Sequence, residues 1–418
     1  MEIKSEFLFL KNLLVKNWRR LINSRTLMNK NSTLKLPLQR EILGPWHPFQ
    51  GSITGNETVW LFDNTAYQSA EGNWMAEFVV AVFSQDIPLG IENIFADIAQ
   101  KIGLADTNES TAIIRDRLSP WLKDVLPGRI VQIHFGHQNY LSTSPGGANG
   151  ISCDLYNLPN FSNGTIISSK ANVPSGTDGL LKMKTLYAEP EGWGIISDID
   201  DTIKVTHTDH PMGFINETFI ATATPIEGMP ELYADIVKLI TPFSPFFYVS
   251  ASPYNFYPFL SKFCQENYPQ GTIMLPDLSL KNMKGLFPNH VFGPQAFKID
   301  RIKKINSWLP RRKMICIGDS TQSDPEIYGE FSNFILPNDS FTFHPLLSLT
   351  RPRYRMFPGW IKLIMIRKAT SFLGVKPRNT PKRFIKAFEG VERDHWFIFE
   401  TPDECDIIIR KVIMVSRH

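Results

Sequence analysis

The chain predicts an α/β fold, a parallel sheet with flanking helices, preceded by a smaller β-rich domain. Three observations carry this expectation. From Trp193 onward, short apolar runs alternate with amphipathic segments of helical period, the grammar of a parallel sheet covered on both faces. Asp198, Ser250 and Asp319 each stand where one of those apolar runs ends, the edge at which parallel sheets gather chemistry. Between Gly51 and Pro190 the runs are instead short, aromatic and β-branched, and are punctuated by turn residues. The division expected is 1–45, a basic amphipathic helix and linker; 46–190, the β-rich domain; and 191–418, the α/β domain.

Taken in order, Ile3, Phe7, Leu10, Leu14, Trp18 and Leu21 recur at helical spacing with Lys and Arg between them. Such a helix can dock on the protein's own surface, lie on an anionic membrane or target an organelle. Glu2 and Glu6 argue against a mitochondrial presequence, because presequences are poor in acids. "ETVWLFDNTAY" and "WMAEFVVAVF" read as strands, "IENIFADIAQKIG" and "ESTAIIRDRLSPWLKDVL" as helices, the second kinked near Pro120. "GRIVQIHFG" alternates like a half-buried strand. "SPGGANG" reads as a turn rather than a phosphate loop, having neither the lysine nor the following helix that a phosphate loop needs. Strands follow at "ISCDLYNL", "GTIISSK" and "LLKMKTLYA". The α/β half then runs "WGIISD", "EGMPELYADIVKLI", "PFFYVSAS", "NFYPFLSKFCQENYP", "GTIMLPD", "AFKIDRIKKINSWLP", "KMICIGDS" and "DPEIYGEF", with a late strand in "WIKLIMIRKA".

Composition narrows the classes. At 418 residues, 43% hydrophobic and 20% charged, the chain has the make-up of a soluble globular protein with two or three cores. No uninterrupted apolar stretch reaches the roughly 20 residues that span a bilayer. Four scattered cysteines give neither zinc spacing nor a disulfide framework, which points to a reducing, cytoplasmic setting. The net charge of +3 hides an asymmetry: no acidic residue occurs from Phe341 to Phe388, against eleven Lys and Arg between Arg351 and Lys386. A cationic tract of this kind is either a solvated face or a surface for an anionic partner. No nucleic-acid recognition motif accompanies it. His134 and His137 lack an acidic or cysteine companion and are expected to be structural.

The chemistry concentrates in "WGIISDIDDTIKVT". Three carboxylates at the end of a buried strand repel one another and lose hydration. In an extended chain Asp198 and Asp200 face the same way, about 6.6 Å apart. With a third carboxylate from a neighbouring strand end they would make an oxygen-rich site suited to a hard divalent cation, Mg²⁺ above all where a phosphate shares the coordination. Asp201 is expected to be a turn or cap residue, and His207 and His210 to lie in the loop.

The order Asp-x-Asp-x-Thr, then Ser250, Lys298 and Gly-Asp…Asp resembles the four motifs of the haloacid dehalogenase-like phosphotransferase superfamily. More narrowly, "WGIISDIDDTIKVT", "GMPELY", "FFYVSASPYNFYPFL" and "RRKMICIGDSTQSDPEIYG" resemble the catalytic domain of the fungal App-type phosphatidate phosphatases, relatives of the lipins. "WLFDNTAY" and "KAFEGVERDHWFIFETPDEC" are similar to fungal members as well.

The resemblance implies a haloacid dehalogenase-like sheet and Mg²⁺-dependent hydrolysis of phosphatidate to diacylglycerol and phosphate. Asp198 would be the nucleophile and Asp200 the acid and base, with Thr202 fixing the loop, Ser250 bonding a phosphoryl oxygen and Lys298 neutralising charge. Ser252 is an alternative to Ser250. Asp198, the Asp200 backbone carbonyl and Asp319 would hold the metal, and Asp324 would orient the loop or ligate through water. The implied partner is phosphatidate in an anionic membrane, reached by peripheral contact; relatives associate with cortical actin patches. Two other readings fit the residues: a phosphatase of soluble phosphomonoesters, and a module that binds phosphatidate without hydrolysing it.

Overall fold

The computed structural model describes residues 50–86, 108–136, 139–276, 294–333, 360–368 and 379–415. The basic helix expected at Ile3–Leu21, the helix expected at 91–103 and five of the eleven basic residues of the cationic tract lie outside them. From Trp193 the chain forms a six-stranded parallel sheet. Its strands are β1 (Trp193–Ser197), β2 (Phe246–Val249), β3 (Thr272–Met274), β4 (Lys313–Asp319), β5 (Ile361–Arg367) and β6 (Trp396–Phe399), in the order β3-β2-β1-β4-β5-β6. The α/β class expected from the sequence is the class observed. β1 runs centrally, pairing Ile196 with Phe247 on one side and with Cys316 on the other. β6 and the helix Pro402–Val415 extend the fold beyond the elements read from the sequence.

Successive side chains of a strand point to opposite faces, so the apolar runs supply two cores at once. Ile195, Phe246, Tyr248, Ile315, Ile317, Leu363 and Met365 face one layer, containing the helices α1 (Met229–Leu239), α2 (Tyr257–Asn267) and, near the C-terminus, Pro402–Val415. Ile196, Phe247, Val249, Cys316, Ile364 and Ile366 face the other, built from α3 (Pro294–Trp308), α4 (Asp324–Asn333) and α5 (Pro381–Ala387). Cys316 is fully buried, as expected of a core thiol.

The preceding segment forms a mixed, largely antiparallel nine-stranded sheet whose longest member is Trp74–Ser84. "ETVWLFDNTAY" is two strands, Glu57–Leu61 and Asn64–Gln68, rather than one. The break at Asp63 has a local cause: its backbone N–H donates to the Tyr257 hydroxyl at 2.8 Å, and its carboxylate accepts from the Lys184 N–H at 2.7 Å. The helix expected across "ESTAIIRDRLSPWLKDVL" spans Asn108–Leu122 and carries Pro120 inside its last turn.

The two sheets share a core. Val80 and Val82 point into the β-rich layer, whereas Ala81 and Phe83, on the opposite face of the same strand, pack with Trp60, Phe62 and Trp121 into the cluster of β1, α1 and α2. Thr65 and Thr272 share a buried hydroxyl–hydroxyl bond of 2.8 Å, and Glu77 pairs with Lys304 of α3 at 2.6 Å. The β-rich layer thereby reaches the edge strand β3. Among the described residues no helix is long and apolar enough to cross a membrane.

Candidate active site

Three strand ends build the site. Asp198 follows β1, Ser250 follows β2 and Asp319 ends β4. Because β1 and β4 are in register, with Ser197 opposite Ile317, the Asp198 N–H donates to the Ile317 carbonyl at 2.9 Å, and the two aspartates emerge side by side. Asp324 opens α4. It closes in over Gly318, where any Cβ would stand 2.6 Å from the Asp324 Oδ2, so the absence of a side chain there is what admits the carboxylate. Asp324 Oδ2 then accepts from the Asp319 N–H at 3.2 Å.

Asp198, Asp319 and Asp324 each offer an oxygen within 4.8 Å of the others, and all three are buried. Lys298, in the second turn of α3, is 2% exposed and donates to Asp198 Oδ1 at 2.7 Å and Asp324 Oδ1 at 2.6 Å. Thr202 donates to Asp198 Oδ2 at 3.1 Å. Asp319 Oδ1 accepts from the backbone and hydroxyl of Thr321, whereas Asp319 Oδ2 is buried without a hydrogen-bond partner.

The electrostatics follow from this crowding. Burial, reinforced by Asp324, pushes the Asp198 carboxyl well above its ordinary range. Burial and the neighbouring Asp324 and Asp201 raise Asp319 to about 7. Burial alone would depress Lys298, but Asp198 and Asp324 outweigh it and hold the ammonium charged. With all three carboxylates ionised, one lysine would leave a formal charge of −2 in a buried pocket, which is why burial favours a proton there.

Asp200 lies apart from that cluster. Its Oδ2 accepts from Ser250 Oγ at 2.7 Å and Ser252 Oγ at 2.9 Å, and its Oδ1 from Thr206 Oγ1 at 2.9 Å. Both serines weighed in the sequence therefore serve the same carboxylate. Asp201 takes a left-handed backbone, φ 61°, an uncommon conformation that aspartate tolerates better than most residues. Its side chain accepts from the N–H groups of Thr206, His207 and Thr208, and its carbonyl accepts from Arg367 at 3.0 and 2.8 Å. Asp201 is thus a turn residue that also ties the following loop together. Arg383 braces the other loop, donating to the Ser320 and Gln322 carbonyls while pairing with Glu326.

Every residue singled out in the sequence falls in this one region: Asp198, Thr202, Lys298, Asp319 and Asp324 in the charged cluster, Asp200 with Ser250 beside it. Lys204, Thr206, Arg367 and Arg383 were not singled out for the site. Arg367 and Arg383 belong to the cationic tract, yet both are committed internally rather than offered to a partner.

A parallel α/β sheet that closes its strand ends around a buried carboxylate–lysine centre defines a class of protein. Residues 193–335 match the family model for the catalytic domain of phosphatidate phosphatase APP1. The chain is 35% identical over 158 residues to phosphatidate phosphatase APP1 of Saccharomyces cerevisiae, covering 36% of this chain and 26% of that protein. It is 30% identical over 217 residues to an uncharacterized protein of Schizosaccharomyces pombe, covering 51% and 31%. The likeness to that family is thus carried by residues 193–335. It spans less than a third of the length of these curated relatives.

Proposed function

We propose that the protein is a Mg²⁺-dependent phosphatidate phosphatase of haloacid dehalogenase-like architecture. The observation that carries this reading is the pairing of Lys298 with Asp198 and Asp324 beside an Asp319 oxygen that has no partner. Strand order, with the four motifs at the ends of β1, β2 and β4 and on α3, supports the architecture.

The donor set fits a hard divalent cation: three buried carboxylates, a formal charge of −2 with the lysine once all three are ionised, and one buried oxygen unsatisfied. Asp198, Asp319 and Asp324, with the Asp200 carbonyl, are the groups to hold it directly or through water. When bound, the cation neutralises charge on the phosphoryl oxygens.

An Asp198 oxygen attacks phosphorus while the bond to the diacylglycerol oxygen breaks. Asp200 gives that oxygen its proton, then takes one from the water that hydrolyses the aspartyl-phosphate, releasing phosphate and restoring Asp198. A protonated Asp200 requires one of its hydroxyl donors to turn and accept, which a freely rotating serine O–H allows. Lys298 offsets charge on Asp198 throughout, and Thr202 holds its second oxygen.

Phosphatidate as the substrate is supported by the match of residues 193–335 to the APP1 catalytic domain and by charge. Lys382, Ile385 and Lys386 stand exposed on α5, next to the Arg383 that braces the loop after β4. Cations flanking an apolar side chain at this end suit peripheral contact with an anionic bilayer, at about 1 kcal/mol per basic residue near the surface.

The test is phosphate release from phosphatidate in mixed micelles, with and without chelator, for wild type beside Asp198→Ala and Asp200→Ala. Release that requires Mg²⁺ and both aspartates is expected. Faster turnover of soluble sugar or nucleotide phosphates would shift the reading to a soluble phosphomonoesterase. Tight phosphatidate binding without turnover would make it a lipid-binding module.

A further inference from the structure

Thr206 and Lys204 form a second connection to Asp200 that the reaction above leaves unused. The chain after Asp200 folds back on itself: Lys204 N–H donates to the Ile199 carbonyl at 3.0 Å and Asp201 N–H to the Lys204 carbonyl at 2.8 Å. This fold returns Thr206 to Asp200 and turns Lys204 inward. Lys204 is 1% exposed, and its ammonium lies 5.6 Å from the centre of the Phe259 ring. Nζ donates to the Val205 carbonyl and to Thr206 Oγ1, each at 2.9 Å.

The direction of these bonds is fixed by inventory. A hydroxyl has one proton to give, while a carboxylate and a carbonyl oxygen only accept. Thr206 Oγ1 lies 2.9 Å from Asp200 Oδ1 and 3.3 Å from the Lys204 carbonyl, so its proton goes to the nearer, charged acceptor. Its lone pairs are left to receive the Lys204 N–H. The lysine therefore keeps the Thr206 hydroxyl turned toward Asp200. With Ser250 and Ser252 on Oδ2 and Thr206 on Oδ1, the carboxyl plane is pinned at both oxygens.

We propose that Lys204 is a positioning residue for Asp200, acting through the Thr206 hydroxyl to hold that carboxyl in the orientation that exchanges a proton with the phosphoester oxygen. The inference rests on the phosphatase reading. A buried ammonium is expensive where a methionine of similar length would pack. The lysine's hydrogen bonds, to a carbonyl and to this one hydroxyl, say what it is for.

The experiment measures kcat and KM of the full chain on phosphatidate micelles, together with the melting temperature, for Thr206→Val, Thr206→Ser, Lys204→Met and the Lys204→Met/Thr206→Val double variant. Thr206→Val and Lys204→Met are expected to lose about 10- to 100-fold in kcat with KM little changed. Thr206→Ser, which keeps the hydroxyl, should recover to within about 3-fold of wild type. Because the lysine acts through the threonine, the double variant should be no slower than Thr206→Val alone. Multiplying losses, or a Thr206→Val variant as fast as wild type, would overturn the inference while the phosphatase reading stands. If Lys204→Met does not fold, the threonine pair decides: recovery in serine supports the inference and equal loss in both overturns it. Wild type without turnover would instead remove the phosphatase reading, and the inference with it.

Discussion

Lys298 Nζ lies 2.7 Å from Asp198 Oδ1, joining residues 100 positions apart in a pocket where both are almost fully buried. The lysine is the cation that lets three carboxylates stay close together in the folded chain.

Removing it leaves those carboxylates uncompensated. Lys298→Met should abolish phosphate release and destabilise the cation-free protein by about 3–5 kcal/mol, the cost of stranding one side of a buried ion pair. Urea denaturation in chelator measures the second effect, and part of the loss should return when Mg²⁺ is added.

The pH dependence has a definite sign. With Asp319 raised to about 7 from an ordinary 3.8, the folded chain holds a proton between those values that the unfolded chain has released. The raised Asp198 acts in the same sense. Cation-free protein should therefore lose stability as pH rises from about 4 to 7, by an amount on the order of a few kcal/mol. Denaturation midpoints at pH 5 and pH 7.5 in chelator test this. Saturating Mg²⁺ should flatten the slope, and Asp319→Asn should reduce it without metal.

Cation binding should be visible apart from activity. Binding to the folded state alone stabilises by about 2.7 kcal/mol at a hundred times Kd. Thermal melts over a Mg²⁺ series should show a rising midpoint in wild type and a blunted rise in Asp319→Asn.

Phe83 tests the shared core. Its ring is fully buried, 4.5 Å from Trp60 of the β-rich sheet and 6.1 Å from Tyr254 after β2. Phe83→Ala should cost about 3–5 kcal/mol. The described halves should still melt in one transition, read by tryptophan fluorescence and calorimetry together.

Much of the parallel sheet was legible because its signals are local. Apolar runs ending in Asp198, Ser250 and Asp319 state both the strand and the edge where chemistry collects. Lys298 was legible from its place in the motif order, and its pairing with two aspartates completes that reading. The Lys204–Thr206 path was not, because it depends on the left-handed turn at Asp201, which has no periodicity to read. Arg367 and Arg383 looked like free cations because their partners are far away in the chain: the Asp201 carbonyl for Arg367, and the Ser320 and Gln322 carbonyls with Glu326 for Arg383. The β-rich segment suggested a domain of its own, since Trp74–Ser84 shows two apolar faces without saying which layer will cover each.

That strand, turned toward a different core on each face, limits how this protein can be divided or recombined. Cutting between the sheets would leave Phe83 without Tyr254, and would bare aromatic side chains around Phe256 and Tyr257 to solvent. A catalytic segment transplanted into another chain would need a replacement lining of matching shape, so modular exchange is confined to partners that bring one with them.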